Sequence, residues 1–279
     1  MTLSLDPPAS DRVPADATKG EQDVDLTGVS ALVTGGSGGL GEATVRRLVG
    51  AGVFTVIADV ADERSEALAA DLGDLATYVR TDVLDDDTVL DAIAAAKAGG
   101  AFRISVCAHG GYVLAGRLVN RDGEALELDG FRRTVDQYLT GTYNVNRLAA
   151  SAMAKGEPDG EGNRGVLVNT ASIAAFEGQV GQLPYAAAKG GVVGMGLVAA
   201  RDLSPMGIRV LTIAPGTFFT PAFMMTEDQA QEMFGKNVPY PKRMGRPDEY
   251  GKLVVHIAEN DYLNGETIRL DGATRLAPK

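Results

Sequence analysis

The chain has 279 residues, 45% hydrophobic and 23% charged, enough for one large α/β domain with a full core. A formal net charge of −11 argues against nucleic-acid phosphates or an anionic membrane as the main partner, and no uninterrupted apolar run reaches the roughly 18 residues of a membrane span. One cysteine, Cys107, allows no intrachain disulfide and suits a reducing compartment, so a cytoplasmic protein is expected.

Residues 1–25 carry six acids (Asp6, Asp11, Asp16, Glu21, Asp23, Asp25) against Arg12 and Lys19, with Pro7, Pro8 and Pro14 among small polar residues. They resemble neither a secretory nor a mitochondrial leader and read as a flexible, solvated tail. From Val29 the pattern changes. Strands are expected at Val29–Thr34, Val53–Asp59, Thr77–Thr81, Arg103–Ala108, Gly165–Thr170, Ile208–Ala214 and Thr267–Leu270, several of them continuously apolar as in strands buried on both faces. Helical patterns fill the gaps at Leu40–Gly50, Asp62–Leu72, Asp86–Ala98, Phe131–Lys155, Pro184–Leu203 and Pro247–Glu259. Such alternation predicts right-handed βαβ units: a single α/β domain over residues 26–279, a Rossmann-type doubly wound parallel sheet with helices on both faces. Two connections break the rhythm. Lys155–Arg164 is a polar loop, and Thr217–Gly245 is long enough to serve as a substrate lid beyond a strand's carboxyl end.

The first strand runs into Thr34-Gly35-Gly36-Ser37-Gly38-Gly39-Leu40-Gly41 and then a helix. Glycines at Gly35, Gly39 and Gly41 suit a tight turn with backbone N–H groups facing a pyrophosphate, and Ser37 and Leu40 share that cradle. The second strand ends in Asp59, 18 residues beyond Gly41, where a carboxylate bonds adenosine ribose hydroxyls. A 2′-phosphate about 4 Å away would meet repulsion of about 4 kcal/mol per unit charge at an effective dielectric of ~20. No Arg or Lys is expected beside the glycine turn to offset this repulsion, so NAD is expected over NADP.

Ser172 follows the fifth strand, Tyr185 comes 13 residues later and Lys189 four residues after that. Tyr and Lys at i and i+4 share a helix face, which sets an ammonium beneath the phenol. Lowering a phenol from a pKa near 10 to about 7 takes roughly 4 kcal/mol, and a neighbouring cation is a source of it. Tyr185 then acts as acid/base, with Ser172 holding the substrate oxygen. No metal is called for.

This set, with the later Pro215-Gly216, resembles the short-chain dehydrogenases/reductases over about residues 26–272. The stretches NTASIAAFEGQVGQLPYAAAKGGVVGM, ARDLSPMGIRVLTIAPG and LNGETIRLDGATR, together with the EPDGEGNRG loop, look more closely like the short-chain 3-hydroxyacyl-CoA dehydrogenases, also called type-10 17β-hydroxysteroid dehydrogenases. The resemblance implies reversible oxidation of a secondary alcohol, a 3-hydroxyacyl-CoA as the leading substrate, with a steroid or other bulky alcohol as the rival substrate and a non-catalytic NAD-binding scaffold as the rival class. It implies that Asp82 and Val83 contact the adenine, that Ala108, Gly110, Pro215, Gly216 and Thr220 line the cofactor, and that Gln179 lies near the acyl group. It also implies a homotetramer in fatty acid metabolism.

Two positions depart from the family pattern. Cys107-Ala108-His109-Gly110 replaces the usual Asn-Asn-Ala-Gly or Asn-Cys-Ala-Gly, and His109 is open between a structural role beside the cofactor and contact with substrate. Tyr138 stands where the family has an asparagine that anchors a proton-relay water. Asn144, six residues on, lies about 240° around the helix and cannot simply substitute. Finally, the helix from Pro184 holds Gly190, Gly191, Gly194 and Gly196, a loss of about 4 kcal/mol of propensity that is tolerated where another helix packs on the bare face.

Overall fold

A computed structural model describes residues 26–221 and 225–278. The tail expected at residues 1–25 lies outside the described residues.

Seven strands, β1 (Val29–Thr34), β2 (Phe54–Asp59), β3 (Ala76–Arg80), β4 (Ala101–Cys107), β5 (Gly165–Thr170), β6 (Ile208–Pro215) and β7 (Thr267–Leu270), form one sheet. Its order is β3-β2-β1-β4-β5-β6-β7 and every pair is parallel. This is the expected Rossmann-type doubly wound sheet. The chain reverses its direction of travel between β1 and β4, so a crevice opens at their carboxyl ends. Val33 and Thr34 of β1 sit in register with Val106 and Cys107 of β4 at that point. Strands β1 and β6 are buried along their whole lengths, which is why they are almost unbroken in Val, Ile, Leu and Ala.

Helices α1 (Gly39–Gly50), α2 (Asp62–Leu72), α3 (Asp86–Gly99), α4 (Leu128–Val135), α5 (Gly141–Ala154), α6 (Ala174–Glu177), α7 (Leu183–Leu203), α8 (Glu227–Phe234) and α9 (Pro247–Glu259) complete the fold. Two cores result. One joins α1 and α9 to the sheet through Val45, Leu48, Tyr250, Val254 and Ile257; the other joins α3 and α5 through Val89, Ile93, Val145, Ala149 and Met153.

The structure departs from the sequence expectation in four places. The helix expected at Phe131–Lys155 begins at Leu128 and is interrupted by a π-helical turn, Asp136–Thr140, between α4 and α5. Single π turns resist a 3.6-residue pattern search because they shift the phase of the helix. A long excursion at residues 108–127, with a bridge pairing Val119 and Ala125, and the short α6 are not among the expected elements. The fourth difference concerns α7. With the turn that follows it, Leu183–Met206 has a mean hydropathy of 1.3 and is long and apolar enough to cross a membrane. Counting uninterrupted apolar residues hid this, because Tyr185 and Lys189 break the run. In the fold this helix turns Ala188, Lys189, Val192, Gly196 and Ala200 inward, which is how a core helix packs.

Helices α1 and α9 meet at Gly251, where an added Cβ would stand 2.6 Å from the Ala43 carbonyl oxygen. Gly251→Ala gains about 1 kcal/mol of helix propensity, but overpacking against backbone costs about 1–3 kcal/mol. The expected outcome is a net loss of stability of roughly 1 kcal/mol, read as a lower midpoint in urea unfolding.

Candidate active site

The glycine turn is built by exclusion. Gly35 has φ +65°, and a Cβ there would collide with the His109 backbone; one at Gly41 would collide with the Gly35 carbonyl. Only glycine lets β1, the segment after β4 and the start of α1 come this close. Helix α1 opens at Gly38 with no side-chain cap, so its leading N–H groups face the crevice. At Gly39 a Cβ would stand 2.8 Å from Thr220, which places the loop after β6 directly over the turn. Pro215 and Gly216 fix that loop through Ile173 N–H to the Pro215 carbonyl (3.1 Å) and Gly216 N–H to the Leu270 carbonyl (2.9 Å). An uncapped helix terminus, a cradle that any Cβ would fill and an acid at the rim fit a dinucleotide.

That acid, Asp59, is buried and fully oriented. One carboxylate oxygen accepts from Ser37 N–H (3.1 Å) and Ser37 Oγ (2.8 Å), the other from Val60 N–H (2.8 Å) and Ala61 N–H (3.1 Å). The expectation that no cation stands beside the turn is corrected here. Arg64, on the first turn of α2, donates from Nε to Ser37 Oγ at 3.2 Å. It lies 27 residues from Ser37 and reaches the turn only because α2 folds back over β2, so sequence adjacency missed it. Asp82 accepts from Leu84 N–H (2.9 Å), while the Val83 side chain packs against Gly141 and its carbonyl accepts from Asn144 (2.9 Å). Asn144 is therefore committed to Val83 and Arg147 by its hydrogen bonds.

Across the crevice the structure brings Ser172, Tyr185 and Lys189 together at the carboxyl end of β5. Ser172 Oγ accepts from Ala174 N–H (3.1 Å), and α6 behind it is held by a bidentate pair between Arg269 and Glu177 (2.8 and 2.9 Å). Lys189 is buried and donates to the Thr170 carbonyl at 2.6 Å. Its Nζ lies 4.6 Å from the ring centroid of Tyr138 and 5.8 Å from that of Tyr185, and the two rings meet edge to face at 5.2 Å. Burial pushes the ammonium down to about 7. The Tyr185 phenol is pushed up to about 12, mainly by burial and then by Tyr138, with a hydrogen bond to Ser172 pulling the other way.

His109 is closed in. Nδ1 lies 2.7 Å from Thr34 Oγ1 and Nε2 3.3 Å from Thr142 Oγ1, whose hydroxyl also donates to the Tyr138 carbonyl at 2.8 Å. A neutral ring protonated on Nε2 satisfies both partners. Burial, then the Lys189 charge, drives its pKa down to about 3. This geometry supports the structural alternative and gives no support to the tentative substrate contact. Ala108 N–H donates to the Thr34 carbonyl (3.0 Å), and the exposed Gly110 gives its carbonyl to Gln137 (3.3 Å). Gln179, expected near the acyl group, donates to the Ala277 carbonyl at 3.1 Å and so secures the C-terminal segment. Thr142 and Thr170 are single hydroxyl residues with no motif to mark them, and Thr34 opens the glycine motif without its bond to His109 being legible there.

The sequence pattern of the short chain dehydrogenases matches residues 30–231, more than half of the chain. The chain belongs to that family. It is 47% identical over 255 residues to human 3-hydroxyacyl-CoA dehydrogenase type-2, covering 91% of this chain and 97% of the relative. The bovine protein of the same name is likewise 47% identical, with the same coverage. A crystal structure of 3-hydroxyacyl-CoA dehydrogenase type-2 from Mycobacterium avium superposes with a TM-score of 0.88 at 54% identity, covering 90% of this chain and 98% of that one. This short-chain dehydrogenase is thus an oxidoreductase, and its fold is shared along nearly its full described length.

Folded His109 stays neutral down to about pH 3, whereas in the unfolded chain it takes up a proton near 6.5. Between these values the unfolded state binds more protons, so stability falls as pH drops, by up to about 1.4 kcal/mol per unit. His109→Gln removes that term. Urea midpoints followed from pH 7 to pH 4 are expected to fall less steeply in the variant than in the parent.

Proposed function

We propose that this short-chain dehydrogenase interconverts 3-hydroxyacyl-CoA and 3-oxoacyl-CoA using NAD(H). The observation that carries the reading is the convergence of Ser172, Tyr185 and Lys189 opposite the glycine turn, in a chain so similar throughout to two mammalian 3-hydroxyacyl-CoA dehydrogenases type-2. Gly35, Ser37, Gly39, Leu40 and Gly41 hold the pyrophosphate end of the dinucleotide, Asp59 the adenosine ribose, Asp82 and Val83 the adenine, and Ala108, Gly110, Pro215, Gly216 and Thr220 the nicotinamide end. A bound nicotinamide supplies the hydride acceptor for oxidation and the donor for reduction. Ser172 Oγ holds the substrate oxygen, and Tyr185 Oη takes the alcohol proton or returns it to the ketone. The Lys189 ammonium favours the phenolate, and Lys189 and Tyr185 would both also contact the bound cofactor. Burial makes its work harder, since a phenol raised to about 12 needs more help than the free group.

The cofactor preference follows from two opposed charges. Asp59 is buried, so its repulsion of a 2′-phosphate acts at a low effective dielectric; Arg64 is exposed, and its attraction is screened. NADH is expected to exceed NADPH at least tenfold in kcat/KM, and Asp59→Ala to shrink that gap. Equal use of both cofactors by the intact enzyme would overturn the assignment.

The excursion at residues 217–245 serves as the substrate lid, with α8 locked at its start by a capping box between Thr226 and Gln229. The assembly is a homotetramer. Gly190 and Gly194 on α7 leave open space where a Cβ would stand, beside exposed Leu197 and Val198, a face that suits a second helix of the same protein. The work belongs to fatty acid metabolism in the cytoplasm, in keeping with the single reduced Cys107.

The deciding experiment is a substrate panel read by NADH absorbance, with acetoacetyl-CoA beside keto-steroids and simple ketones. Acetoacetyl-CoA is expected to have the highest kcat/KM; a keto-steroid ahead of it would replace the acyl substrate, and silence on every ketone would favour a scaffold. In the same assay Tyr185→Phe should lose all but a few per cent of turnover while binding NADH nearly as the parent does.

A further inference from the structure

Lys189 is the group whose charge state the geometry leaves most exposed to its neighbours. The groups that face it are the ring of Tyr138 from the π turn, the ring of Tyr185 one turn before it on α7, the Cys107 thiol on β4, His109 beyond that strand, and the Thr170 carbonyl on β5. Cys107 is neutral, since burial pushes its thiol up to about 12, and His109 is neutral down to about 3. Among the described residues no carboxylate pairs with the ammonium. One backbone carbonyl and two ring faces are its polar surroundings, and the nearer ring is that of Tyr138.

The Tyr138 hydroxyl is committed elsewhere. It accepts from Gly111 N–H at 3.0 Å and donates to the Gly111 carbonyl at 3.1 Å. Both bonds run to the same residue, so the ring is anchored by its far end and presents its face to Nζ. Burial raises the phenol's pKa, which keeps it un-ionised and its proton on the Gly111 carbonyl. A hydroxyl so engaged has no proton to pass on.

We propose that Tyr138 is a positioning residue, holding the Lys189 ammonium charged beneath Tyr185 through its ring face rather than by relaying protons through its hydroxyl. This rests on the reading that Tyr185 and Lys189 carry the chemistry. A cation over an aromatic face in a desolvated site is held in its charged form, which bears directly on an amine that titrates near neutrality. The π turn is what delivers the ring. It turns Tyr138 toward α7, and the Thr142 hydroxyl takes up the Tyr138 carbonyl (2.8 Å).

The test separates ring from hydroxyl. Tyr138→Phe keeps the face and deletes the hydroxyl, whereas Tyr138→Leu and Tyr138→Met delete the face; the methionine variant serves if leucine does not fold. The full-length protein is labelled with 13Cε-lysine and titrated without substrate or cofactor, and Lys189 is assigned as the resonance lost in Lys189→Met. The Lys189 midpoint is expected to match the parent in the phenylalanine variant and to fall by about one pH unit in the leucine and methionine variants. The limb of the kcat/KM profile for alcohol oxidation that reports ionisation of Tyr185 should move to higher pH in the same two variants, because a less charged lysine supports the phenolate less. Equal midpoints in the phenylalanine and leucine variants would overturn the proposal, as would a higher midpoint in leucine, the sign of water solvating the amine better than the ring. The titration needs no turnover. If Tyr185→Phe stays active while the leucine midpoint still falls, the catalytic reading fails and the placement of Tyr138 stands.

Discussion

An ammonium buried under the carboxyl edge of a parallel sheet, with no carboxylate beside it, is the constraint around which this site is arranged. Lys189 has its charge balanced by a carbonyl dipole and by ring faces rather than by a counter-ion. A carboxylate partner would have kept the lysine charged more securely, but it would also have neutralised the field that Tyr185 needs. Leaving the cation uncompensated makes it useful to the phenol and lowers its own pKa at the same time. Every group packed around it is accordingly neutral: a thiol, an imidazole, two phenols and backbone.

The sheet supplies the rest. The carboxyl ends of β1 and β4 diverge at the switch point, and the ends of β5 and β6 stand beside them. The glycine turn, His109, Ser172 and Thr220 therefore arrive at one crevice from four consecutive strands of the sheet. His109 links two of these layers. It joins Thr34 at the end of β1 to Thr142 on α5, and Thr142 in turn holds the carbonyl released by the π turn. A buried neutral histidine is a rigid spacer with a nitrogen at each end. Burial and the nearby Lys189 charge suppress its protonation strongly.

Most of the scaffold was legible in the sequence because its signals are local or periodic. Apolar runs marked the strands to within two residues, and a glycine turn between a strand and a helix marked the nucleotide end. Ser172, Tyr185 and Lys189 could be read together because two share a helix face and the third ends a buried strand. What escaped depends on tertiary approach. Arg64 meets Ser37 only after α2 has folded over β2, the hydroxyls of Thr142 and Thr170 have no spacing rule, and the bond from Thr34 to His109 spans 75 residues. The sequence flagged Tyr138 as an exception to the family pattern, but its role was invisible. The π turn that aims the ring changes the helical phase between α4 and α5, and no 3.6-residue pattern predicts where the side chains land after it.

The glycines of α7 connect these points. Four glycines in one helix cost about 4 kcal/mol of propensity, and the structure divides them between two faces. Gly190 and Gly194 look outward into open space. Gly191 and Gly196 face the interior of the subunit: a Cβ at Gly191 would stand 2.6 Å from Leu139, and one at Gly196 3.0 Å from Thr212 Oγ1. Leu139 is the neighbour of Tyr138 on the π turn. A side chain at position 191 would therefore have to displace the Leu139 side chain, on the same segment that carries the Tyr138 ring 4.6 Å from Nζ. The bare position at 191 and the π turn opposite it solve one packing problem, since each allows the other to come close enough for an aromatic face to reach a lysine two residues earlier on the same helix. The sequence expectation was another helix on the bare face, from a second subunit or from within this one; Gly191 and Gly196 are accounted for inside this one.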